Sequence, residues 1–331
     1  MKRSFYLFSS GTLTRHENSL LLETQNGEKK YIPVETVGEI HVFGELQVNK
    51  RALEFLAQHN IVLHFFNYYD YYVGSFYPRE HLNSGFMILK QAQHYLDPEK
   101  RLFLAYKFFE GSSKNMIKVL KYYEKRDKPV GEALKSIENL LKSAQGMTDI
   151  NELMAIEGNI RQVYYNSFDA ILQDEEFSFT SRTRKPPQNQ LNALISFGNS
   201  LLYSVCLTEI YQTHLDPRIG YLHTTNFRRF TLNLDVAEIF KPILVDRVIF
   251  TLIGKGMIKS ADFSRKAGGL LMSQKAMRTF VEQWENKLNS TVSLKSMGRP
   301  FSYRRLIRIE LYKLEKHLME EKVYEPLVAE W

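Results

Sequence analysis

The feature that most restricts this chain is a change of hydrophobic period close to Pro78. Before it, apolar residues come in short runs, at 4–9, 20–24, 31–34, 39–43, 61–66 and 71–77. Runs of that length, rich in β-branched and aromatic residues, read as strands. Asn26-Gly27 between two of them is a strong hairpin signal, and Ser10-Gly11 offers another turn. One amphipathic helix, 49–59, interrupts the strands with Leu53, Leu56 and Ala57 on one stripe. After Pro78 almost every window has helical period. Asp97-Pro98 supplies an N-cap and a first-turn proline, and Asp149 with Glu152 reads as a capping box. The expectation is an α+β protein with a small β domain, 1–80, and a larger all-helical domain, 81–331, meeting near 78–86.

Composition agrees with two packed cores. The chain has 331 residues, 44% of them hydrophobic and 13% aromatic, too apolar for disorder. Its one cysteine, Cys206, rules out an internal disulfide framework and a Cys-based zinc site; within an apolar run it reads as a buried, inert thiol in a reducing compartment. Met1-Lys2-Arg3 imitates a signal-peptide start, but Ser9, Ser10 and Gly11 break the segment that follows. The run 243–253 is interrupted by Asp246 and Arg247 and is too short to span a bilayer. A soluble, cytoplasmic protein with no membrane partner is expected. Forty-four basic against 37 acidic residues give a net charge of +7, which permits a polyanionic partner without demanding one. Tyr68, Tyr69, Tyr71 and Tyr72 could stack bases, but tyrosines along a strand more often pack in the core or across strands.

Candidate chemistry concentrates at 215–247. Here an Asp-Pro turn precedes an isolated histidine, His223, two arginines, Arg228 and Arg229, and a helix carrying Asp235 and Glu238. Three residues apart, the two carboxylates share a helix face. Pro242 cannot donate to the carbonyl of Glu238, so a kink beside that carboxylate is expected. A loop histidine and helix carboxylates suit Mg²⁺ or Mn²⁺. The plainer reading is a solvated acidic helix start placed for the helix dipole. Upstream, 149–172 reads as one helix with Glu157 at the edge of its apolar stripe and Arg161 four residues on; a surface ion pair would explain these two. Gly158 between them suggests a close neighbour. Two acid-free basic sets are candidate phosphate contacts: Arg182, Arg184 and Lys185 ahead of Pro186-Pro187, and Arg299, Arg304, Arg305 and Arg308.

These motifs together resemble a known family. Leu215-Asp216-Pro217, Gly220-Tyr221-Leu222-His223, an arginine at 228 or 229, and 232–242 with Asp235, Glu238 and Pro242 are similar to the signature of the CRISPR-associated integrase. That is the first of the two proteins that insert new spacers into CRISPR arrays. Gly11, Leu13 and Arg15, the segment Glu157-Gly158-x-x-Arg161-x-x-Tyr164-Tyr165, the run 192–198 (NALISFG) and the closing Tyr324-x-Pro326 to Trp331 extend the likeness. The resemblance implies an N-terminal β-sandwich, joined to a second copy as a homodimer, followed by a helical catalytic domain. It implies Glu157, His223 and Glu238 as ligands of one Mg²⁺ or Mn²⁺, with Asp235 orienting a ligand or water beside them. It further implies a metal-dependent endonuclease and integrase acting with a small second acquisition protein on a prespacer duplex and a CRISPR repeat. Two alternatives stand beside it: a stand-alone nuclease on branched DNA in repair, and a non-catalytic DNA-binding scaffold.

Overall fold

The computed structural model describes residues 2–79, 82–184, 186–225, 230–266, 268–294 and 298–330. The chain divides into two compact units between His81 and Leu82. In the first unit, the strands are β1 (Arg3–Leu7), β2 (Gly11–His16), β3 (Ser19–Thr24), β4 (Lys29–Pro33), β5 (Val37–Val42) and β6 (Leu46–Val48). Helix α1 (Lys50–Gln58) precedes β7 (Val62–Phe66) and β8 (Tyr72–Phe76). They form two four-stranded sheets, ordered β1-β5-β7-β8 and β4-β3-β2-β6. Leu7, Ile40, Val42 and Leu63 of one sheet share a buried cluster with Leu13, Leu20, Leu22 and Ile32 of the other, closed by Phe55 and Leu56 of α1. Period-two strands can bury one face each only by packing face to face, and this unit is a β-sandwich.

Two local expectations change. Gly11 is the first residue of β2, paired with Thr24, where a Cβ would lie 2.2 Å from the Glu23 carbonyl oxygen. Its lack of a side chain serves close approach instead of a turn. Of the tyrosine group, Tyr72 packs on β8, with its hydroxyl 2.8 Å from Ser75 Oγ, but Tyr68 sits between β7 and β8 and is 63% exposed. The Asn26-Gly27 turn joins β3 to β4 as expected, with Gly27 at φ 81°.

The second unit begins with α2 (Gly85–Leu96), α3 (Pro98–Glu124), α4 (Gly131–Ser143), α5 (Ile150–Asn166) and α6 (Phe168–Leu172). It continues with α7 (Gln190–Tyr211), α8 (Leu232–Phe240) and α9 (Arg247–Gly254). The ribbon β9 (Phe263–Lys266) with β10 (Gly269–Met272), then α10 (Gln274–Asn289), the ribbon β11 (Thr291–Ser293) with β12 (Pro300–Ser302), and α11 (Tyr303–Leu318) complete it. The unit is thus helical apart from two short ribbons. Asp97 caps α3 by accepting from Glu99 N and Lys100 N at 3.0 and 3.1 Å, ahead of Pro98. Asp149 caps α5 in the same way through Asn151 N and Glu152 N. Helix α7 is long and apolar enough to cross a membrane by composition, but 83% of that window is buried inside the protein. It is the axis of the core, and α8 packs between it and α3.

Candidate active site

Helix α8 ends where Pro242 cannot donate a helix hydrogen bond, and the chain widens there into a single π turn, Pro242–Asp246. Asp246 N donates to Lys241 O at 3.1 Å, one residue beyond α spacing. The carbonyl of Ile239, just before this turn, accepts from Asn115 Nδ2 of α3 at 2.9 Å. The disruption expected beside Glu238 takes the form of this π turn, and a buried amide on a neighbouring helix bonds the carbonyl at its edge.

Asp235 and Glu238 project from α8, and both are buried. Their partners separate their roles. The Asp235 carboxylate accepts from the backbone N–H of Tyr221 (2.6 Å), Leu222 (3.1 Å) and His223 (2.9 Å). His223 Nδ1 stands 2.8 Å from the same carboxylate. Donating there, the neutral ring keeps its lone pair on Nε2, which faces Glu238 Oε1 at 4.0 Å. Asp235 has no exposed surface and four donors converging on it, so its carboxylate is committed to holding the 221–223 loop and the His223 ring.

Glu157 reaches the same place from α5. Arg161, one turn on, bonds both Glu157 and Glu238, the latter at 2.6 Å. What reads in sequence as a surface pair is a guanidinium bridging two carboxylates from separate helices. Lys241 adds a second cation, with Nζ 2.6 Å from Glu238 Oε1 and 4.9 Å above the Tyr203 ring. Burial alone would raise the Glu238 pKa, but the Arg161 and Lys241 charges hold it well below the usual carboxylate range. Glu157, Arg161 and His223 keep 13%, 15% and 18% of their side chains exposed against 2% for Glu238, so the site opens to solvent on the Glu157–His223 side. A Cβ on Gly158 would meet nothing within 4 Å, which corrects the expectation of a close neighbour. Among the described residues no three His, Cys, Asp or Glu side chains are already drawn together around one point.

The basic sets divide differently from the sequence reading. Arg182 turns inward, bonding Thr183 O, Asn192 Oδ1 (2.8 Å) and Ser196 Oγ (3.1 Å), while Arg184 is exposed. Lys185, Arg228 and Arg229 lie outside the described residues. Arg299 and Arg305 are exposed. Arg304 and Arg308 do not form a surface set: Arg308 Nε is 2.6 Å and Arg304 NH1 3.8 Å from the buried carboxylate of Glu209, and Arg304 also pairs with Glu285 at 3.5 Å. A carboxylate buried in α7 needs cationic partners, and these two arginines supply them. The closing segment packs inward too, with Tyr324 OH 2.6 Å from Glu310 Oε1 and Pro326 against Gly111 of α3.

Comparison with known proteins follows the same geometry. The family model described as "CRISPR associated protein Cas1" matches residues 5–286, across both units. This chain belongs to the Cas1 family. It is 56% identical over 331 residues to a CRISPR-associated endonuclease Cas1 of Thermodesulfovibrio yellowstonii, covering 100% of both chains. The CRISPR-associated endonuclease Cas1 of Thermotoga maritima is 51% identical, over 97% of this chain and 98% of that one. A solved CAS1 protein structure from Thermotoga maritima superimposes with a TM-score of 0.90 at 50% identity, over 98% and 99% of the two chains. The Cas1 fold extends to a casposase bound to integration product (TM-score 0.85, 22% identity, 98% of this chain and 93% of that one). It also extends to a Cas6-RT-Cas1–Cas2 complex (TM-score 0.87, 19% identity, 100% of this chain and 36% of that one).

Several residues that support the candidate site escape sequence reasoning. Lys241 carried a usable signal, its position three after Glu238. Gln91 of α2 carried none: its side-chain amide accepts from Asp216 N at 2.7 Å and donates to Asp216 O at 3.1 Å, bracing the loop that ends in His223. Arg101 of α3 supports the same loop through Tyr221 O at 3.2 Å. These partners are 120 or more residues away in sequence.

Proposed function

We propose that this chain is a metal-dependent DNA endonuclease and integrase that inserts new spacers into CRISPR arrays, a DNA 3′-hydroxyl attacking a phosphodiester of the repeat. The observation that carries the reading is the dedication of Asp235 to His223, which presents Nε2 toward Glu238 on the solvent-open side of two carboxylates. Glu157, His223 and Glu238 would hold a Mg²⁺ or Mn²⁺ ion, which when bound would neutralise charge on the scissile phosphate and activate the attacking hydroxyl.

The donor set fits such an ion. Two hard carboxylates and one imidazole suit Mg²⁺ or Mn²⁺, and the Arg161 guanidinium between the carboxylates marks where the site accepts positive charge. Adjacent ligands of an octahedral ion at about 2.1 Å stand about 3 Å apart, so the His223–Glu238 pair needs a movement of about 1 Å. Glu238, held ionised by Arg161 and Lys241, needs no deprotonation before binding. Asp235 keeps the Nε2 lone pair of His223 aimed into the site, and Lys241 keeps Glu238 in place. The names of the relatives and the Cas1–Cas2 assembly that shares the fold support DNA and a small second acquisition protein as partners. The same reading makes the protein a cytoplasmic homodimer joined through its β-sandwich.

The test combines the purified chain with a small partner of the second kind, a short duplex with 3′-hydroxyls, and a supercoiled plasmid bearing a CRISPR repeat. Mn²⁺, Mg²⁺ and EDTA are compared in wild type, Glu157→Ala and His223→Ala. Joining that needs the ion and is lost in both variants supports the integrase. Nicking without joining moves the reading to a general nuclease. DNA binding with no chemistry in wild type refutes the three-ligand site.

A further inference from the structure

A second concentration of chemistry lies outside that site. Between residues 255 and 281 the sequence places six basic side chains and a single acid, Asp262. This segment leaves α9, forms the β9–β10 ribbon and enters α10. Lys255, Lys259, Arg265 and Lys275 are all exposed, and none makes an ion pair with a described residue. Asp262 is engaged in folding the ribbon: its carboxylate accepts from Lys259 N at 3.0 Å and its carbonyl from Ser273 N at 2.7 Å. Asp262 forms no ion pair with these cations, which leaves the segment with a clear excess of positive charge.

The ribbon is fastened to the loop that carries Arg184. Leu270 N donates to Pro187 O at 2.9 Å, and Gln188 Nε2 donates to Gly268 O at 3.1 Å. A Cβ on Gly269 would lie 2.4 Å from Pro186 Cβ, so the contact is close along its length. At the other end of the loop, Arg182 is anchored on α7. The turn and second strand of the ribbon are thus joined to the loop that leads into the core helix α7.

We propose that this ribbon surface, Lys255, Lys259, Arg265 and Lys275 with Arg184 on the fastened loop, grips the phosphate backbone of duplex DNA outside the active site. The inference rests on the DNA-acting reading above and extends it to a second contact. Duplex is favoured because single-strand sites pair a basic groove with stacking aromatics, and this segment presents none. Phe263 packs edge-on against Phe177 with ring centroids 6.0 Å apart, and Phe280 is fully buried. Of the segment's large apolar side chains only Met257 is exposed, which offers little for insertion into a lipid surface. Cations without stacking partners read charge spacing and not sequence, so the contact is independent of base identity.

The test is fluorescence anisotropy of a short labelled duplex in EDTA, over a range of salt, with wild type and the triple variant Lys255→Gln, Lys259→Gln, Arg265→Gln. A charge-matched control carries Lys125→Gln, Lys135→Gln and Lys142→Gln, exposed positions after α3 and on α4. Each lost phosphate contact removes about 0.9 from the slope of log affinity against log salt, so the ribbon variant should lose about 2.7. Its affinity at about 150 mM salt should fall more than tenfold, with the control unchanged. Equal slopes in wild type and ribbon variant, or the same loss in the control, would overturn the proposal. So would unchanged DNA affinity accompanied by lost binding to phosphatidylglycerol vesicles. Because EDTA removes metal-dependent chemistry, this result stands apart from the joining experiment: intact ribbon-dependent binding with no joining refutes the chemistry alone.

Discussion

Asp235→Asn exchanges one carboxylate oxygen for an amide NH₂ and tests the whole arrangement around His223. The native carboxylate receives Tyr221 N and Leu222 N on one oxygen and His223 N and Nδ1 on the other. An asparagine keeps one acceptor oxygen. If it serves Tyr221 and Leu222, the amide NH₂ faces two donors, and two hydrogen bonds to a buried charge are lost. At about 1.5 kcal/mol or more each, the loss is about 3 kcal/mol, a melting-temperature drop of roughly 6–12 °C for a unit of this size. The imidazole can relieve the clash only by moving its proton to Nε2, which removes the lone pair facing Glu238. Loss of such an orienting partner lowers metal affinity or activity about 10- to 100-fold. Differential scanning fluorimetry, Mn²⁺ titration calorimetry and single-turnover strand joining read the three effects. A variant that melts within a degree or two of wild type and binds Mn²⁺ as tightly would refute the assignment of Asp235 as the residue that sets the His223 tautomer.

Three other outcomes follow from the packing. Glu209→Ala removes the carboxylate facing Arg308, Arg304 keeping Glu285, and should cost about 1.5–3 kcal/mol in denaturant unfolding; if Arg308→Ala instead weakens DNA binding with no loss of stability, the ion-pair assignment is wrong. Gly198→Ala places a Cβ 2.5 Å from Val245 Cγ1 and 2.9 Å from the Phe280 ring, and overpacking of this kind should destabilise by about 1–3 kcal/mol, read as a shifted urea midpoint. Burial pushes the Asp246 carboxyl up from 3.8 to about 7, against the lowering influence of Tyr164, Lys241, Arg161 and Arg182. The native state then binds this proton more tightly than the unfolded chain, so the group's stabilisation is complete below about pH 4 and is lost as pH rises through 7. Asp246→Asn should gain melting temperature relative to wild type across that window, and a flat difference between pH 4 and 8 would show that Asp246 does not titrate there.

Local chemistry was legible in the sequence, and partnership across the fold was not. The shift from period two to period 3.6 at Pro78 announced a β unit and a helical unit, because each pattern buries a continuous face in only one kind of element. Asp97 and Asp149 cap the helices they precede, because a cap needs only donors two or three residues away. Pro242 breaks α8 beside Glu238, because a missing N–H is a property of that residue alone. Glu157, His223, Asp235 and Glu238 could be named from motif resemblance; in the fold Arg161 links Glu157 to Glu238, and Asp235 holds His223 beside the same helix.

Tertiary structure alone decided what each charge faces. Arg304 and Arg308 match Arg299 and Arg305 in type and neighbourhood, yet they point at Glu209, about 100 residues earlier, while the other two stay exposed. Arg161 resembles an ordinary surface partner of Glu157 until α8 delivers Glu238 to its other side, 77 residues away. Gln91 gives no local sign of supporting the His223 loop. The physical reason is common to all three. The interaction of a charge or an amide depends on separation and burial, and the packing of distant helices, not neighbours in the chain, sets both for these side chains.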